Sequence, residues 1–555
     1  MLNSEGAMAL LKIKLKELTV REKIGQTVVV LSNRAQERDK YGSLSAMMER
    51  YPVGGFFVGA EMIKDVMTGN TREQVREATR QYSEATRIPL LFASDFENGC
   101  GNMIAGTTKL PQPMALGATR SEQLAYDYGK ATAMEAQQVG VNWTFSPVAD
   151  LNMNRMNPIT NIRALSDKPD WAIPLLRAFV RGMQEHRLAA TAKHFPGDGV
   201  DYRDQHIMTT RNSLPWEEWL TNHGAMFQAL IDDGVGSIMT GHIALPAYQL
   251  RTEQGGRHLP ATLAEELTLK LLKHEMGFRG VVVSDALVMG GYLKWFPQDE
   301  AYVKSMQAGT DMMLWPEFSY FERMERALES GELSMERLED AVLRILQLKQ
   351  RLGLVELADD DQATDYSMVE APEVSAEEAG LFAISTAKAV AERSLTLLND
   401  ENGLLPLSTR LIKNVLIVAI CPADADFEEM DSLQAAFERR GVNAELKRNI
   451  WYEELQQREA EFDLIVFAPA VRPHRPMGPL GLSKDEASAA WSALTAGRDK
   501  TIVASFGSPY VMNDYFDMAP VRVNAYGNAP ASHEAFVSAI FGEIPFAGQS
   551  PVSNL

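Results

Sequence analysis

The chain has 555 residues, of which 45% are hydrophobic and 23% are charged, with 39 glycines and 26 prolines. This is the composition of a globular protein, and at about 150 residues per domain the length predicts two to four domains. The 54 basic and 74 acidic residues give a formal net charge of −20. That charge argues against nucleic acid or an anionic membrane surface as the main partner, because both require a basic footprint. A neutral small-molecule substrate fits better.

The two cysteines and the start of the chain indicate the compartment. Cys100 and Cys421 are too far apart in sequence to suggest a disulfide framework or a zinc ribbon. Charged residues such as Lys14 and Glu17 interrupt any apolar core that a signal peptide would need. No apolar run is long enough to cross a membrane. We therefore expect a cytoplasmic protein.

Short apolar runs recur at regular intervals through the first two thirds of the chain. There are eight of them: Thr27–Leu31, Gly54–Gly59, Leu90–Asp95, Asn142–Val148, Ala190–Pro196, Ser237–Ile243, Val281–Ala286 and Met312–Pro316. Segments with helical periodicity separate most of the runs, for example Ser121–Val139 and Trp171–Arg187. Buried strands that alternate with helices indicate a βα repeat, and eight repeats predict a TIM-type (β/α)8 barrel over residues 1–355.

The rest of the chain predicts a second α/β domain. The acidic, polar stretch after the helical segment Ser334–Leu352 indicates a linker, placed at residues 356–375. Residues 376–555 are predicted to form an αβα three-layer sandwich. Its predicted strands are Asn414–Ile420, Asp463–Pro469, Thr501–Ser505 and Arg522–Tyr526.

The densest group of chemically competent residues runs from Lys193 through His194 and a glycine-rich loop to Asp204 and His206. Asp204 and His206 are two residues apart, so an extended backbone directs both side chains to one side. A carboxylate beside an imidazole fixes its tautomer, as a proton-transferring histidine needs. A lone D-x-H pair is more often an ordinary surface pair, and the surrounding residues decide between the two interpretations.

A second group ends the seventh run, where Ser284 and Asp285 follow three valines. In a barrel the C-terminal strand ends form the catalytic face. A carboxylate at this position suits a helix cap, a metal ligand or a covalent nucleophile.

Together these segments resemble glycoside hydrolase family 3, in its two-domain bacterial β-N-acetylhexosaminidase branch. The signature K-H-[FI]-P-G-x-G-x4-D-x-H is met from Lys193 to His206, and S-D-x-x-x-M is met from Ser284 to Met289. Further matches are Phe145-Ser146-Pro147 with Asp150, Asn161-Ile162-Arg163, Met239-Thr240-Gly241-His242, Ala308-Gly309-Thr310-Asp311, Arg393 to Leu398 and Phe546 to Val552. The resemblance spans nearly the whole chain.

The resemblance implies a retaining exo-β-N-acetylglucosaminidase that acts on chito-oligosaccharides or cell-wall fragments without a metal or cofactor. Asp285 becomes the nucleophile, His206 the general acid/base and Asp204 the residue that orients it. The positions that match substrate-binding residues are Asp95, Arg163, Lys193, His194 and Met239. His242 and Asp150 become supports behind them, and a homodimer is possible.

Two segments bear on the aglycone. Asp95-Phe96-Glu97-Asn98-Gly99-Cys100 stands where the family often has D-Q-E-G-G-R, and Met103 stands where a second arginine is common, so chitin-type and muropeptide-type substrates both stay open. Residues 471–481 follow a predicted strand and are rich in proline, glycine and cations. Two interpretations are open: an ordinary surface loop, or a substrate-binding loop that carries His474 and Arg475.

Four alternatives stay open. A phosphorylase on the same scaffold passes the glycosyl group to phosphate instead of water. A β-glucosidase of the family uses a glutamate as acid/base and lacks the D-x-H loop. A zinc hydrolase could combine His194, His206 and His242 with Asp285, although the first strand has no H-x-H. The last alternative is a non-catalytic sugar-binding protein.

Overall fold

The computed structural model describes residues 4–31, 38–59, 71–249, 258–355, 374–401, 403–474 and 476–553. Within them the fold is α/β. The strands are β1 Val28–Leu31, β2 Gly55–Phe57, β3 Leu91–Ser94, β4 Trp143–Thr144, β5 Thr191–Phe195, β6 Thr210–Arg211, β7 Ser237–Thr240, β8 Ile243–Ala244, β9 Val281–Ser284, β10 Met313–Leu314, β11 Thr396–Asp400, β12 Asn414–Ile420, β13 Asn443–Arg448, β14 Leu464–Pro469, β15 Thr501–Ser505 and β16 Val521–Asn524.

Helices separate most of these strands. Those before residue 356 are Ser4–Glu17, Val20–Gln26, Arg38–Tyr41, Leu44–Arg50, Arg72–Glu84, Pro113–Thr119, Glu122–Gln138, Pro169–Gln184, Trp216–Trp219, Ala225–Asp232, Pro246–Gln249, Gly290–Leu293, Gln298–Ala308, Ser319–Glu329 and Met335–Arg351. Those after it are Ala376–Ser394, Asp424–Glu429, Asp431–Glu438, Tyr452–Arg458, Lys484–Ser492, Val511–Tyr515 and Pro530–Ile540. Short 3₁₀ turns cover Cys100–Asn102, Asn161–Arg163, Glu459–Glu461 and Arg498–Lys500, and π-helical turns cover Leu220–Gly224 and Glu266–Glu275.

Local sequence explains several helix starts. Thr71 accepts a hydrogen bond from the backbone of Gln74, whose side chain accepts the backbone N–H of Thr71 in return. Ser121 and Ser334 cap the helices Glu122–Gln138 and Met335–Arg351 through their side chains alone, without the reciprocal bond. These caps satisfy backbone N–H groups that have no partner within the helix.

The first strands form a curled parallel sheet. The order β10-β1-β2-β3-β4 makes one group and β5-β7-β9 another, and every pairing within both groups is parallel. Parallel backbone bridges also join Trp143 to Ala189 and Val283 to Met312, which connects β4 with β5 and β9 with β10. Each of the eight predicted runs contains one of these strands. Because parallel strands share one direction, their C-terminal ends meet at one rim.

The second sheet has the order β11-β16-β15-β14-β12-β13, with only β11 antiparallel to its neighbour. The four predicted strands are present, whereas β11 and β13 were not predicted. Both missed strands lie at the edges and are partly exposed, so they lack the fully apolar pattern of the central strands. Most of the predicted linker lies outside the described residues, and Ser375 caps helix Ala376–Ser394.

The two halves of the chain share a packed and hydrogen-bonded interface. Helix Ala376–Ser394 packs with helix Glu122–Gln138, and side chains of both belong to one buried apolar cluster. Asn152 Nδ2 donates to the Tyr510 hydroxyl at 2.8 Å. Ser166 Oγ donates to the carbonyl of Pro551 at 2.6 Å. The interface brings loops of the second sheet to the rim of the first.

Candidate active site

A cavity of about 660 Å³ opens at the C-terminal rim of the curled sheet. Its lining residues are Phe57, Gly59, Asp95, Asn102, Met103, Phe145, Lys193, His194, His206, Met239, Asp285, Ala286, Val288, Met289, Leu314, Trp315, Pro473 and His474. A larger surface groove beside helix Pro169–Gln184, about 860 Å³, contains the partly exposed Arg177–Asp233 pair. The rim cavity is the better candidate, because a carboxylate, a lysine and several histidines converge inside it.

Asp285 follows β9 and faces this cavity. Its backbone N–H donates to the carbonyl of Thr240 at 2.9 Å, and its Oδ1 accepts the N–H of Ala286 at 2.8 Å. Burial raises the pKa of this carboxyl, but His194, His242, His206 and the Ala286 N–H outweigh burial and lower it to about 2. Asp285 is therefore an anion at neutral pH with its second oxygen directed toward the histidines.

The Asp204–His206 pair forms on the loop after β5. One carboxylate oxygen of Asp204, Oδ1, accepts two hydrogen bonds from His206, one from Nδ1 and one from the backbone N–H, each at 2.7 Å. Burial raises the pKa of Asp204, yet the His206 contacts and the backbone N–H of Met477 hold it below its usual value. An ionised Asp204 fixes the proton on Nδ1 of His206, so Nε2 is the ring nitrogen left for the substrate.

Four charged side chains form a largely buried network at the cavity. Lys193 Nζ lies 2.8 Å from Asp95 and 2.6 Å from Glu97. Arg163 donates Nε and Nη2 to the two oxygens of Glu97, each at 2.7 Å. Asp95 and Lys193 line the cavity, whereas Arg163 reaches it through Glu97. Two cations thus compensate two carboxylates in a largely buried place.

His194 stands between two carboxylates. Asp150 accepts hydrogen bonds from Nδ1 of His194 at 2.8 Å and from the backbone N–H of His194 at 3.0 Å. Asp150 also accepts a hydrogen bond from the backbone N–H of Asp198. The other ring nitrogen, Nε2, lies 4.0 Å from Oδ2 of Asp285. Asp150 therefore fixes the orientation of the imidazole whose other nitrogen points toward Asp285.

Two further predicted residues also line the cavity. Met239 on β7 is 2% exposed and contributes to an apolar wall with Phe145. His474 enters from the second sheet's loop, where its Nε2 contacts Asp426 at 2.7 Å. Arg475 lies outside the described residues. The cavity thus gathers Asp285, His206, Asp95, Lys193, His194, Met239 and His474, with Asp204 and Arg163 directly behind them.

The zinc alternative does not fit the geometry of His242. Its Nδ1 contacts Thr262 Oγ1 and its Nε2 contacts the carbonyl of Ala286, both at 3.0 Å, so neither ring nitrogen is available to a metal. Burial lowers the pKa of this histidine despite the nearby Asp285. Among the described residues, no group of three histidine, cysteine or carboxylate side chains is arranged to hold a metal ion.

Two groups at the site, Glu97 and the backbone of Met477, have no predicted role in the sequence. Glu97 stands two residues after Asp95, and a second carboxylate at that spacing after a strand was the available signal. The Met477 N–H donates to Oδ2 of Asp204 at 2.9 Å. This contact has no side-chain signature, because any residue except proline supplies the same donor.

A buried carboxylate, Asp285, and the His206 of an Asp–His pair thus line one cavity at the strand ends. The sequence profile described as the glycosyl hydrolase family 3 N terminal domain matches residues 19–348. The chain belongs to glycoside hydrolase family 3, and it is a glycoside hydrolase.

Similar proteins cover the chain along almost its whole length. It is 31% identical over 574 residues to a "Beta-N-acetylglucosaminidase/beta-glucosidase" of Cellulomonas fimi, which covers 99% of this chain and 96% of that protein. Among solved structures, a "Beta-glucoside phosphorylase BglX" has a TM-score of 0.84 at 29% identity, covering 100% of this chain and 96% of that one. A family 3 β-N-acetylglucosaminidase from Paenibacillus sp. has a TM-score of 0.79 at 26% identity, and the match covers 97% of this chain and 99% of that one.

In the part of the chain that the structure describes, every helix is too short or too polar to span a membrane.

Proposed function

We propose that the protein is a retaining exo-β-N-acetylglucosaminidase that releases terminal GlcNAc from chito-oligosaccharides or cell-wall fragments. The observation that carries the proposal is the placement of Asp285 and His206 on one cavity, with Asp204 bound to His206 at 2.7 Å. The names of the Cellulomonas and Paenibacillus relatives support the N-acetylglucosaminide class.

In the first step a carboxylate oxygen of Asp285 attacks the anomeric carbon and forms the glycosyl ester. The bond to the leaving oxygen breaks, and His206 gives its Nε2 proton to that oxygen. In the second step His206 takes a proton from water, the resulting nucleophile attacks the anomeric carbon, and Asp285 leaves. Two inversions at one carbon retain the β configuration.

The network beside Asp285 supplies groups for a sugar ring. Asp95, Lys193 and His194 line the cavity and offer charge-assisted hydrogen bonds to hydroxyl groups. Arg163 holds Glu97, which in turn holds Lys193, so its contribution to sugar binding acts through those partners. Met239 belongs to an apolar lining that suits the acetamido methyl group and the sugar face.

The proposed layout is a closed (β/α)8 barrel over residues 1–355, a linker over 356–375 and an αβα sandwich over 376–555. Support for closure comes from the bridges Trp143–Ala189 and Val283–Met312, which connect the two groups of parallel strands. Support for the sandwich comes from the six-stranded sheet that begins after helix Ala376–Ser394.

The deciding experiment compares nitrophenyl β-glycosides of GlcNAc, GalNAc and glucose as substrates of the whole chain. We expect GlcNAc release at the highest kcat/KM, with the β anomer formed first by NMR. Preferred cleavage of the glucoside, or first appearance of the α anomer, would contradict the proposal.

A phosphorylase is the second candidate, favoured by the similarity to the β-glucoside phosphorylase structure. An imidazole acid/base carries no negative charge that would repel an anionic acceptor. In that reaction a phosphate oxygen, instead of water, attacks the glycosyl ester of Asp285 and forms a sugar 1-phosphate. Assays with and without inorganic phosphate, with the products separated by anion exchange, distinguish the two reactions.

A further inference from the structure

The segment from residue 470 to residue 482 is here called the bridging loop, and the structure describes all of it except residue 475. One of its contacts has no role in the proposed mechanism so far. The bridging loop leaves β14 of the second sheet and reaches the acid/base pair of the first. The Met477 N–H donates to Oδ2 of Asp204 at 2.9 Å, while Oδ1 of Asp204 holds His206. One carboxylate thus receives donors from both halves of the chain.

The bridging loop is held on both sides of Met477. Asp426 is fully buried and accepts hydrogen bonds from Arg472 and from His474. The backbone N–H of Leu482 donates to the hydroxyl of Tyr515 at 3.0 Å. These contacts lie within the second half of the chain, so the position of the Met477 N–H is set there and not by the loop that carries Asp204.

The origin of the bridging loop in the sheet accounts for its reach. The chain order changes direction between β12 and β14, because β13 lies beyond β12 while β15 and β16 continue beyond β14. Open α/β sheets place ligand-contacting loops at the carboxyl ends of strands at such a point. Asp426 follows β12 and the bridging loop follows β14, so this edge presents a backbone donor to Asp204 behind the cavity.

We propose that Met477 is a positioning residue for catalysis, whose backbone N–H holds Asp204 in the orientation that His206 requires. This inference rests on the proposed function, since it concerns the acid/base step of glycoside cleavage. Among the described contacts the Met477 N–H is the donor to Oδ2 of Asp204, so without it the carboxylate is held through Oδ1 alone and its plane is less firmly fixed. Protonation of the leaving group then becomes slower, while attack by Asp285 is unaffected.

The test uses Met477→Pro, which removes the N–H, beside Met477→Ala, which keeps it. For phenyl β-GlcNAc, which has a poor leaving group, we expect kcat/KM of Met477→Pro to fall about 10-fold or more. For 2,4-dinitrophenyl β-GlcNAc we expect kcat/KM to change little, because kcat/KM reports formation of the glycosyl ester and not its later attack by water. Met477→Ala should keep the wild-type ratio between the two substrates. Asp514→Ala, which removes the separate inter-domain pair with Arg155, should keep it too. Equal losses on both substrates in Met477→Pro would overturn the proposal.

A double-mutant cycle with Asp204→Ala locates the effect. If Met477 acts through Asp204, Met477→Pro costs less than twofold in the Asp204→Ala background. Additive losses would contradict the proposal. If Met477→Pro does not fold, amide hydrogen exchange tests the same contact. The Met477 amide should exchange at least 10-fold faster in Asp204→Ala than in the wild type. Equal exchange rates in the two proteins would show that the contact does not form and would overturn the proposal. This readout needs no activity, so it separates failure of the contact from failure of the proposed function.

Discussion

The Nε2 atom of His194 lies 4.0 Å from Oδ2 of Asp285. Asp150 fixes the opposite ring nitrogen at 2.8 Å, so the imidazole cannot turn away without losing a buried partner. His242 and His206 act in the same direction and further lower the pKa of this carboxyl. The nucleophile candidate is thus kept ionised by its surroundings in spite of its burial.

Replacing the nucleophile should abolish turnover while the protein stays folded. We expect Asp285→Ala to lower kcat on nitrophenyl β-GlcNAc by about 10³-fold or more, because no glycosyl ester can form. Added azide should restore part of the rate and give the α-glycosyl azide, identified by NMR. Retention of more than a tenth of the wild-type rate would show that Asp285 is not the nucleophile.

The acid/base pair should reveal itself through the leaving group. His206→Ala should reduce kcat/KM for poor leaving groups by about 10²- to 10⁴-fold and for dinitrophenyl glycosides far less, because acid assistance matters least when the leaving group departs unaided. Asp204→Ala should act in the same direction but less strongly, through lost orientation. A series of aryl glycosides of graded leaving-group pKa measures both effects, and parallel lines for variant and wild type would exclude the role.

The histidine beside the nucleophile should control the acidic limb of activity. Asp285 has a pKa of about 2, below the ~3.9 of an unfolded aspartate, so its ionisation adds stability that is present above about pH 4 and is lost as pH falls through 2. His194→Ala should raise the pKa of Asp285 and move the acidic limb of kcat/KM to higher pH. The exposed His274→Ala serves as control. An unmoved limb in His194→Ala would contradict this electrostatic account.

The buried network predicts a stability effect. Glu97 compensates both Arg163 and Lys193, and removing one partner of a buried ion pair costs about 3–5 kcal/mol. Glu97→Gln should therefore lower the free energy of unfolding by that order and weaken substrate binding. Glu77→Gln, which removes a half-exposed surface pair with Arg80, should leave the free energy of unfolding nearly unchanged. Chemical denaturation of both variants makes the comparison, and equal stabilities would refute it.

The sequence predicts a structural feature when that feature depends on the types of side chain and their spacing. The position of Asp285 at the end of β9 was predictable because polar residues follow the run Val281–Val283. The contact between Asp204 and His206 was predictable because the two residues are two apart in the sequence. Strand β13 was not predicted because it lies at a sheet edge, where its apolar residues alternate with polar ones. The Met477 contact could not be foreseen, since a backbone N–H carries no pattern and its partner lies 273 residues away.

The loop from the second half of the chain offers the last prediction. His474 lines the cavity and is held by Asp426, which leaves its Nδ1 edge for a sugar or aglycone. Proline residues on both sides of it reduce the entropy that the loop loses when a ligand binds. We expect His474→Ala to raise KM several-fold with thermal stability little changed, because Arg472 still holds Asp426, and Arg475→Ala to raise KM in the same way. The exposed His274→Ala is again the control, measured by steady-state kinetics and thermal unfolding on chitobiose and longer oligomers. If both variants keep the wild-type KM on every oligomer, the second half of the chain contributes no substrate contact through these side chains.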